Sequence, residues 1–290
     1  MYAFIFDAML IVYVLLVLFL LFLVLFVLIV VNFKNPVLKY TPPDDAGFDV
    51  KEVWFPASNG KKLHGLYVFQ HQDAPTVIFV HGWGKNAGTM TVYLKNLCCR
   101  GYNMLAIDAR SHGLSDADGY SSMLKFAEDI VSAVDFILSL PELINKDIYL
   151  LGLSIGGGAS LYAASHDNRI KKVVTVGAFA NPADIMKREI KARHIPYFPF
   201  IFLFFKLVEL YIGAKLDDIA PVNNIFKSKA KIFIIHGKKD RVVPFEQAEK
   251  LKKAAGKADI KMWGIENRGH SNCHLERGFW DKIDDFYKER

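Results

Sequence analysis

An uncharged and almost wholly apolar segment at residues 8–31 constrains this chain more than any other feature of its sequence. As a helix, these 24 residues would extend about 36 Å at 1.5 Å per residue, whereas the hydrocarbon core of a bilayer is about 30 Å thick. The segment is apolar on every face, so it lacks the polar side that a helix of a soluble domain turns toward water. We therefore predict a transmembrane anchor over residues 1–33 and a single-pass protein of the cell membrane.

A cleaved signal peptide is the competing interpretation of this segment. It fits poorly, because the apolar run is too long, no basic residue precedes it and no A-x-A-like cleavage site follows it. The flanking charges bear on orientation: Asp7 precedes the segment, while Lys34 and Lys39 follow it, with Asp44 and Asp45 close behind. The positive-inside rule favours a cytoplasmic location for the remainder of the chain.

Residues 34–50 contain three prolines and two adjacent aspartates, which predicts an extended spacer between the anchor and a domain at 51–290. That domain is long enough to bury a full α/β core. The net charge is +6 without a long basic run, so we expect no nucleic-acid partner. The three cysteines show neither a disulfide framework nor the spacing of a zinc site, and no metal or other cofactor is expected.

Beyond residue 50, strand-like runs alternate with helix-like runs. The expected strands are 52–56, 62–70, 76–80, 103–107, 147–153, 172–176, 231–235 and 259–263. The expected helices are 90–100, 121–140, 155–165, 245–255 and 275–289. This alternation predicts an α/β fold with a mainly parallel sheet covered by helices on both faces. A turn at 58–60 predicts that the first two strands form an antiparallel hairpin at the edge of the sheet.

Residues 182–228 interrupt the alternation. The part from 195 to 212 is very rich in aromatic side chains, and the whole stretch is too long for a plain loop. We predict a helical insertion that forms a cap or lid over a functional site.

The segment Gly152-Leu153-Ser154-Ile155-Gly156 is a Gly-x-Ser-x-Gly motif between a predicted strand and a predicted helix. A sharp strand-to-helix turn would hold Ser154 in a strained backbone conformation, and the glycines would let neighbouring segments approach closely. Its hydroxyl would stand at a helix N-terminus, where backbone N–H groups favour a negatively charged oxygen. Taken alone, the motif also fits an ordinary helix-capping serine.

Further motifs follow other predicted strands in order along the chain. They are His81-Gly82-Trp83-Gly84, the segment from Asp108 to Ser115 (DARSHGLS), the segment from His236 to Pro244 (HGKKDRVVP), and Gly269-His270-Ser271. With the serine motif, they resemble the α/β-hydrolase superfamily over about residues 51–290. The chain order serine, aspartate, histidine is the one that this fold uses.

The resemblance implies a catalytic triad with Ser154 as the nucleophile, Asp240 as the acid and His270 as the base. Asp184 remains an alternative acid, because some members of the superfamily place it after the preceding strand. His274 remains an alternative base.

The resemblance also implies an oxyanion hole formed by the backbone N–H groups of Trp83 and Ile155. It assigns Asp108, Arg110 and His112 to a turn that supports the loop at residues 81–84. By the same interpretation, the motif histidines 81 and 236 are turn and packing residues.

The implied activity is hydrolysis of carboxylic esters through an acyl-enzyme, with a hydrophobic acylglycerol or lysolipid as the expected small-molecule substrate. Within the superfamily, the chain looks most like membrane-anchored bacterial hydrolases of the serine aminopeptidase and monoacylglycerol lipase-like branch. A peptidase or an acyltransferase with the same triad is the alternative, and a non-catalytic binding protein of this fold is a further one. The aromatic side chains of the lid would pack within the lid, or face an acyl chain or the bilayer. The sequence predicts no oligomeric state.

Overall fold

A computed structural model describes residues 2–34, 47, 49–192, 198 and 201–289. Within these residues, eight strands form one sheet in the order β1-β2-β4-β3-β5-β6-β7-β8. They are β1 (Lys51–Pro56), β2 (Lys62–Val68), β3 (Thr76–Val80), β4 (Asn103–Ile107), β5 (Ile148–Leu153), β6 (Ile170–Val176), β7 (Lys231–Gly237) and β8 (Ile260–Ile265). β2 pairs antiparallel with β1 and β4, and every other pairing is parallel. The predicted sheet and its hairpin edge are confirmed.

Helices cover both faces of the sheet. The helices among the described residues are α1 (Tyr2–Lys34), α2 (Thr91–Leu97), α3 (Met123–Ser139), α4 (Ile155–Ala164), α5 (Pro182–Ala192), α6 (Phe202–Ile212), α7 (Leu216–Ile219), α8 (Glu246–Ala254) and α9 (Phe279–Lys288). The core cluster on one face includes side chains of α3, α4 and α8, and the cluster on the other includes side chains of α2 and α9. The sheet is therefore buried on both sides, which explains why β3 and β4 consist of buried residues throughout.

Two predicted helix boundaries differ from the structure. The final helix begins at Phe279 rather than at 275, because Gly278 adopts a left-handed backbone conformation (φ 74°) and Cys273–Leu275 forms a separate 3₁₀ turn. The predicted helix at 90–100 is divided into α2 and flanking 3₁₀ turns at Ala87–Met90 and Cys98–Arg100.

The insertion between β6 and β7 contains α5, α6 and α7, followed by 3₁₀ turns at Pro221–Asn223 and Ile225–Lys227. This confirms a helical cap, although residues 193–197, 199 and 200 lie outside the described residues. We call α5, α6 and α7 the lid.

In the described part of the chain, α1 is the helix that is long and apolar enough to cross a membrane. Its candidate span is Ile5–Leu25, with a mean hydropathy of 3.3. By length and composition, this helix fits either a membrane span or a signal sequence. The predicted spacer at 34–50 lies mostly outside the described residues, and the boundaries at 33/34 and 50/51 stay predictions.

Lys172 on β6 connects the sheet to the end of α9. Its side chain is buried, and its ammonium donates to the carbonyl of Tyr287 (2.7 Å) and to the carbonyl of Glu289. The ammonium also lies 5.2 Å from the ring centre of Tyr149. Burial lowers the pKa of Lys172. A cation at the carbonyl end of a helix is favourable, so this contact fixes α9 against the sheet.

Candidate active site

Ser154 lies at the turn between β5 and α4 and is the N-cap residue of α4. Its backbone angles, φ 53° and ψ −116°, are unfavourable for a residue that has a Cβ atom. The strained turn is held in place by a hydrogen bond from the Ser154 backbone N–H to the Val176 carbonyl (2.9 Å) at the end of β6. The side chain therefore lies above the carboxyl ends of the parallel strands, where ligands bind in open α/β sheets.

The second glycine of the serine motif is required by close backbone packing. A Cβ atom at Gly156 would lie 2.5 Å from the carbonyl oxygens of both Val80 and His81. Such contacts involve backbone atoms that cannot rotate away. Gly156 thus allows the start of α4 to pack directly against the loop that follows β3.

That loop also approaches the serine itself. A Cβ atom at Gly82 would lie 3.7 Å from the Ser154 Cβ, an ordinary van der Waals contact. Trp83, Ser154 and Ile155 line the same cavity. The two residues expected to supply oxyanion-hole N–H groups are thus placed beside the candidate nucleophile, and their roles stay predictions.

Buried polar contacts fix the position of the loop. The backbone N–H of Ala109 donates to His81 Nε2 (3.1 Å), so His81 Nδ1 carries the proton that is donated to the Gly82 carbonyl (2.8 Å). Burial lowers the pKa of His81, which keeps the ring neutral. Asp108 accepts hydrogen bonds from the backbone N–H groups of Ala87 (2.5 Å) and Leu114 (2.9 Å).

Arg110 and His112 also belong to this supporting structure. The Arg110 guanidinium donates from Nε to the buried carboxylate of Asp129 (2.6 Å), and its Nη1 lies 3.2 Å from Asp118. His112 is buried, and its ring centre lies 5.8 Å from that of Trp83. Burial lowers the pKa of His112 to about 3. These contacts agree with the structural roles expected for both residues.

Asp240 and His270 form a hydrogen-bonded pair after β7 and β8. His270 Nδ1 donates to Asp240 Oδ2 (2.7 Å), while the backbone N–H groups of Val242 (2.9 Å) and Val243 (2.8 Å) donate to Asp240 Oδ1. Burial alone would raise the pKa of this carboxyl, but hydrogen bonds from His236 and His270 outweigh burial and hold the pKa well below its ordinary value. Asp240 is therefore a carboxylate that fixes the orientation of the His270 ring.

Gly177, which directly follows β6, brings this pair close to the serine turn. A Cβ atom there would lie 3.1 Å from His270 Nδ1 and 3.5 Å from Asp240 Oδ2. The preceding residue, Val176, accepts the hydrogen bond from the Ser154 backbone. The sequence motifs do not include Gly177, whose one local signal is that it directly follows a predicted strand; the structure gives it a positive φ of 66°.

The two alternative triad residues are placed elsewhere. Asp184 lies on α5, where it bonds to Lys250 Nζ (2.6 Å) and Gln247 Nε2 (3.2 Å). His274 lies in a 3₁₀ turn, with its ring centre 6.0 Å from that of Tyr93. The geometry therefore favours Asp240 and His270. In the described part of the chain, no hydrogen bond joins the Ser154 hydroxyl to His270, and such contacts often tighten only when substrate is bound.

His236 is expected to be a turn and packing residue, but its ring lies next to the carboxylate of Asp240. Its ring is completely buried, with Nε2 2.8 Å from the Val243 carbonyl and 3.4 Å from Asp240 Oδ2. Because both of these atoms are acceptors, Nε2 carries the proton. His236 is thus a second imidazole that faces the carboxylate of Asp240.

A cavity of about 300 Å³ opens above Ser154 between the sheet and the lid. Apolar side chains dominate its walls, and none of the residues that line it is charged. The lining residues are Trp83, Tyr120, Ser121, Ser122, Met123, Ser154, Ile155, Phe179, Pro182, Ile185, Met186, Phe204, Val208, Tyr211, Ile212, Leu216, Ile219, Val242 and Val243. Among the described residues, no group of three or more His, Cys, Asp or Glu side chains could hold a metal ion.

Comparisons with known proteins agree with this architecture. A family model described as "Serine aminopeptidase, S33" matches residues 71–205. The protein YfhR of Escherichia coli is 28% identical over 253 residues, which cover 84% of this chain and 79% of the relative. The AB hydrolase superfamily protein YisY of Bacillus subtilis is 24% identical over 250 residues, which cover 73% of this chain and 91% of the relative.

Solved esterase structures share the fold. The esterase Pf2001 of Pyrococcus furiosus superposes with a TM-score of 0.69 at 22% identity, covering 87% of this chain and 97% of the esterase. Acetyl xylan esterase 1 of Thermoanaerobacterium superposes with a TM-score of 0.64 at 18% identity, covering 89% of this chain and 96% of the enzyme. The chain belongs to the α/β-hydrolase superfamily. Its fold is that of an α/β-hydrolase with a helical lid.

Proposed function

We propose that the protein is a serine hydrolase that cleaves esters of hydrophobic acyl groups, with Ser154, His270 and Asp240 as its catalytic triad. One observation carries the proposal. A strained serine lines an uncharged apolar cavity, beside a histidine that is hydrogen-bonded to a buried carboxylate. This combination supplies a nucleophile, a base with a fixed orientation and a site for an acyl chain.

The proposed reaction begins with attack of Ser154 Oγ on the ester carbonyl carbon. His270 accepts the hydroxyl proton at Nε2, because Nδ1 is held by Asp240, and the carboxylate stabilises the imidazolium that forms. The backbone N–H groups of Trp83 and Ile155 bind the tetrahedral oxyanion, an interaction worth about 3–4 kcal/mol for a donor of this kind. His270 then gives the proton to the leaving alcohol, and water releases the acyl group from Ser154 by the same sequence of steps.

The size and walls of the cavity support an acyl substrate. A volume of about 300 Å³ holds on the order of ten non-hydrogen atoms if each occupies about as much space as a water molecule in the liquid. This suits the acyl chain of a medium-length ester. Burial of such a chain against the apolar lid is favourable through the hydrophobic effect.

The same walls argue against an aminopeptidase, which has to bind the ammonium group of its substrate. A buried cation requires an opposite charge or several acceptors, and no Asp or Glu is among the residues that line the cavity. An acyltransferase would use the same acyl-enzyme with an alcohol in place of water, so product analysis distinguishes it from a hydrolase.

We further propose that α1 anchors the protein in the cell membrane by a single span, with the hydrolase domain in the cytoplasm. The apolar candidate span Ile5–Leu25 supports the anchor. Lys34 and Lys39, which follow the apolar segment, support the orientation. Protease protection in sealed inverted membrane vesicles tests both, since digestion of the domain without detergent is expected for a cytoplasmic location.

A fluorophosphonate probe tests the enzyme proposal directly. The full-length protein should be labelled, whereas Ser154→Ala should fold and remain unlabelled. Asp184→Asn is the matched acid control, and it should be labelled like wild type, while Asp240→Asn should be labelled far more slowly. Failure of the folded wild-type protein to label would sink the proposal.

A substrate panel then separates the alternatives. p-Nitrophenyl esters of increasing chain length should be hydrolysed, and aminoacyl p-nitroanilides should not. The reverse preference would identify a peptidase. Esters formed with an added alcohol, in place of free acid, would identify an acyltransferase.

A further inference from the structure

Helix α6 carries apolar side chains on two opposite faces, and its outer face also carries the exposed Lys206. Phe204 is buried, and Val208 lines the cavity, so one face packs inward. The other face exposes Phe202, Leu203 and Leu210, whose exposed fractions are 43%, 37% and 80%. We call these three side chains, together with Phe198, the outer lid surface. Phe198 is 75% exposed, and its ring centre lies 6.3 Å from that of Phe202.

Other surface helices of the domain do not share this property. Every exposed side chain of α8 is charged, and the same holds for α9. A surface helix of a soluble domain is usually polar on its outer side. Contiguous exposed apolar side chains are therefore a sign of a binding surface.

The outer lid surface adjoins the mouth of the cavity. Tyr211 on α6 both lines the cavity and is 43% exposed. Val242, close to Asp240 in the chain, also lines the cavity and is 52% exposed. Tyr211 and Val242 thus supply side chains that are shared between the cavity and the exposed surface.

Basic side chains are also exposed on the lid, and one of them, Lys206, lies on the outer face of α6 itself. Lys187, Arg188 and Lys191 are exposed on α5. The Lys187 ammonium lies 5.5 Å from the ring centre of Phe205 on α6, which places it against the lid helix. Cations around an apolar patch match a surface of anionic headgroups over hydrocarbon.

We infer that the outer lid surface and the basic face of α5 dock on the lipid bilayer, so that the cavity takes an amphiphilic ester directly from the membrane. The inference rests on the proposed ester hydrolase and its anchor. Residues 35–50 can extend at most about 55 Å, so a domain tethered by α1 stays within reach of the bilayer surface. A second copy of the chain is the competing occupant, but it does not account for the basic side chains.

The first experiment uses the full-length chain in phosphatidylglycerol and phosphatidylcholine vesicles. Exposed Cys99 is changed to serine, and a fluorescent environment-sensitive group is attached to Leu210→Cys. The matched control carries the same group on Ile144→Cys. Ile144 is 62% exposed and lies at the opposite end of the sheet, where its backbone N–H bonds to Gln72 just before β3.

Spin-labelled lipids in the vesicles should quench the probe at position 210 by about half or more, and should leave the probe at 144 nearly unchanged. Equal quenching at both positions, or none at 210, would overturn the inference. A change at 210 that depends on the protein-to-lipid ratio, without quenching by lipid, would assign the surface to a second copy and would overturn it as well.

The second experiment measures turnover of a medium-chain acylglycerol within vesicles and of a short ester in water. Leu203→Gln/Leu210→Gln should lower the vesicle rate about tenfold and leave the rate on the short ester unchanged, and Ile144→Gln should change neither. An unchanged vesicle rate would contradict docking. Failure of the ester hydrolase itself would appear separately, as absence of turnover of both esters by the wild-type protein.

Discussion

His236 Nε2 lies 3.4 Å from Asp240 Oδ2 and donates to the Val243 carbonyl at 2.8 Å. The carboxylate of the proposed triad therefore faces two imidazoles. One is His270, the proposed base. The other is buried and has no path to substrate, so we assign it the role of holding the Asp240 loop and stabilising the ionised carboxylate.

Removal of this donor should reduce catalysis without weakening substrate binding. His236→Leu is expected to lower kcat about tenfold, equivalent to about 1.4 kcal/mol in the barrier, and to leave KM unchanged. His236→Asn keeps an N–H donor and should recover much of the lost rate. Steady-state kinetics with a p-nitrophenyl ester give kcat and KM for the two variants. Equal losses in the two variants would mean that only packing is involved.

The ionised state of Asp240 should make stability depend on acid pH. Its folded-state pKa lies below the ordinary value of 3.8, so the carboxylate contributes stability above about pH 4, and this contribution is lost as the pH falls through the folded-state pKa. Wild type should therefore unfold at a higher temperature than Asp240→Asn at pH 7, by a margin that shrinks at pH 3. Thermal unfolding of both proteins tests this.

The exposed carboxylate of Asp285 provides the matched control. Asp285→Asn should unfold at nearly the wild-type temperature at both pH values. A stability margin for Asp240→Asn that is the same at pH 3 and pH 7 would contradict the assigned ionisation.

The backbone strain at Ser154 should be measurable as lost stability. Strained conformations of this kind cost about 1–3 kcal/mol, and glycine relieves them because it has no Cβ atom. Ser154→Gly should be more stable than Ser154→Ala by about 1 kcal/mol, after allowance for the larger entropy of glycine in the unfolded chain. Both variants should be inactive. Chemical denaturation gives the comparison, and a less stable glycine variant would disprove the argument.

The cavity predicts how chain-length preference can be changed. Val208 lines it from α6, so Val208→Trp should fill space that the distal part of an acyl chain occupies. Hydrolysis of p-nitrophenyl octanoate should fall about tenfold relative to the acetate. Leu203→Trp adds the same bulk on the outer face of α6 and should not alter the ratio. If the ratio of octanoate to acetate hydrolysis fell equally in both variants, the acyl chain would not occupy the space beside Val208.

The sequence predicts the sheet well because its central strands are buried on both faces. The ranges 76–80 and 103–107 agree with β3 and β4 at both ends, since short runs of branched apolar residues between turns have few other ways to pack. The Ser154 turn also follows from its local sequence. Its glycines are spaced for one particular backbone arrangement, and the structure has that arrangement.

Other features depend on contacts between distant residues and could not be predicted from local sequence. Gly177 is a single glycine after a strand, and only the fold places it against His270, which is far away in the chain. The contact between His236 and Asp240 joins residues only four positions apart, but it depends on the loop geometry after β7, which the motif does not specify. The choice between Asp184 and Asp240 likewise depends on which of the two carboxylates forms a hydrogen bond with His270.

The buried ammonium of Lys172 ties β6 to residues that are synthesised more than a hundred positions later. Until residues 286–289 leave the ribosome, no carbonyl of α9 can accept a hydrogen bond from the Lys172 ammonium. Burial of β6 would then leave the charge of Lys172 uncompensated. A nascent chain should therefore remain loosely folded around β6 until synthesis reaches α9. Chains that lack this helix should be recognised by cellular quality control and degraded, even though all three residues of the proposed triad are present.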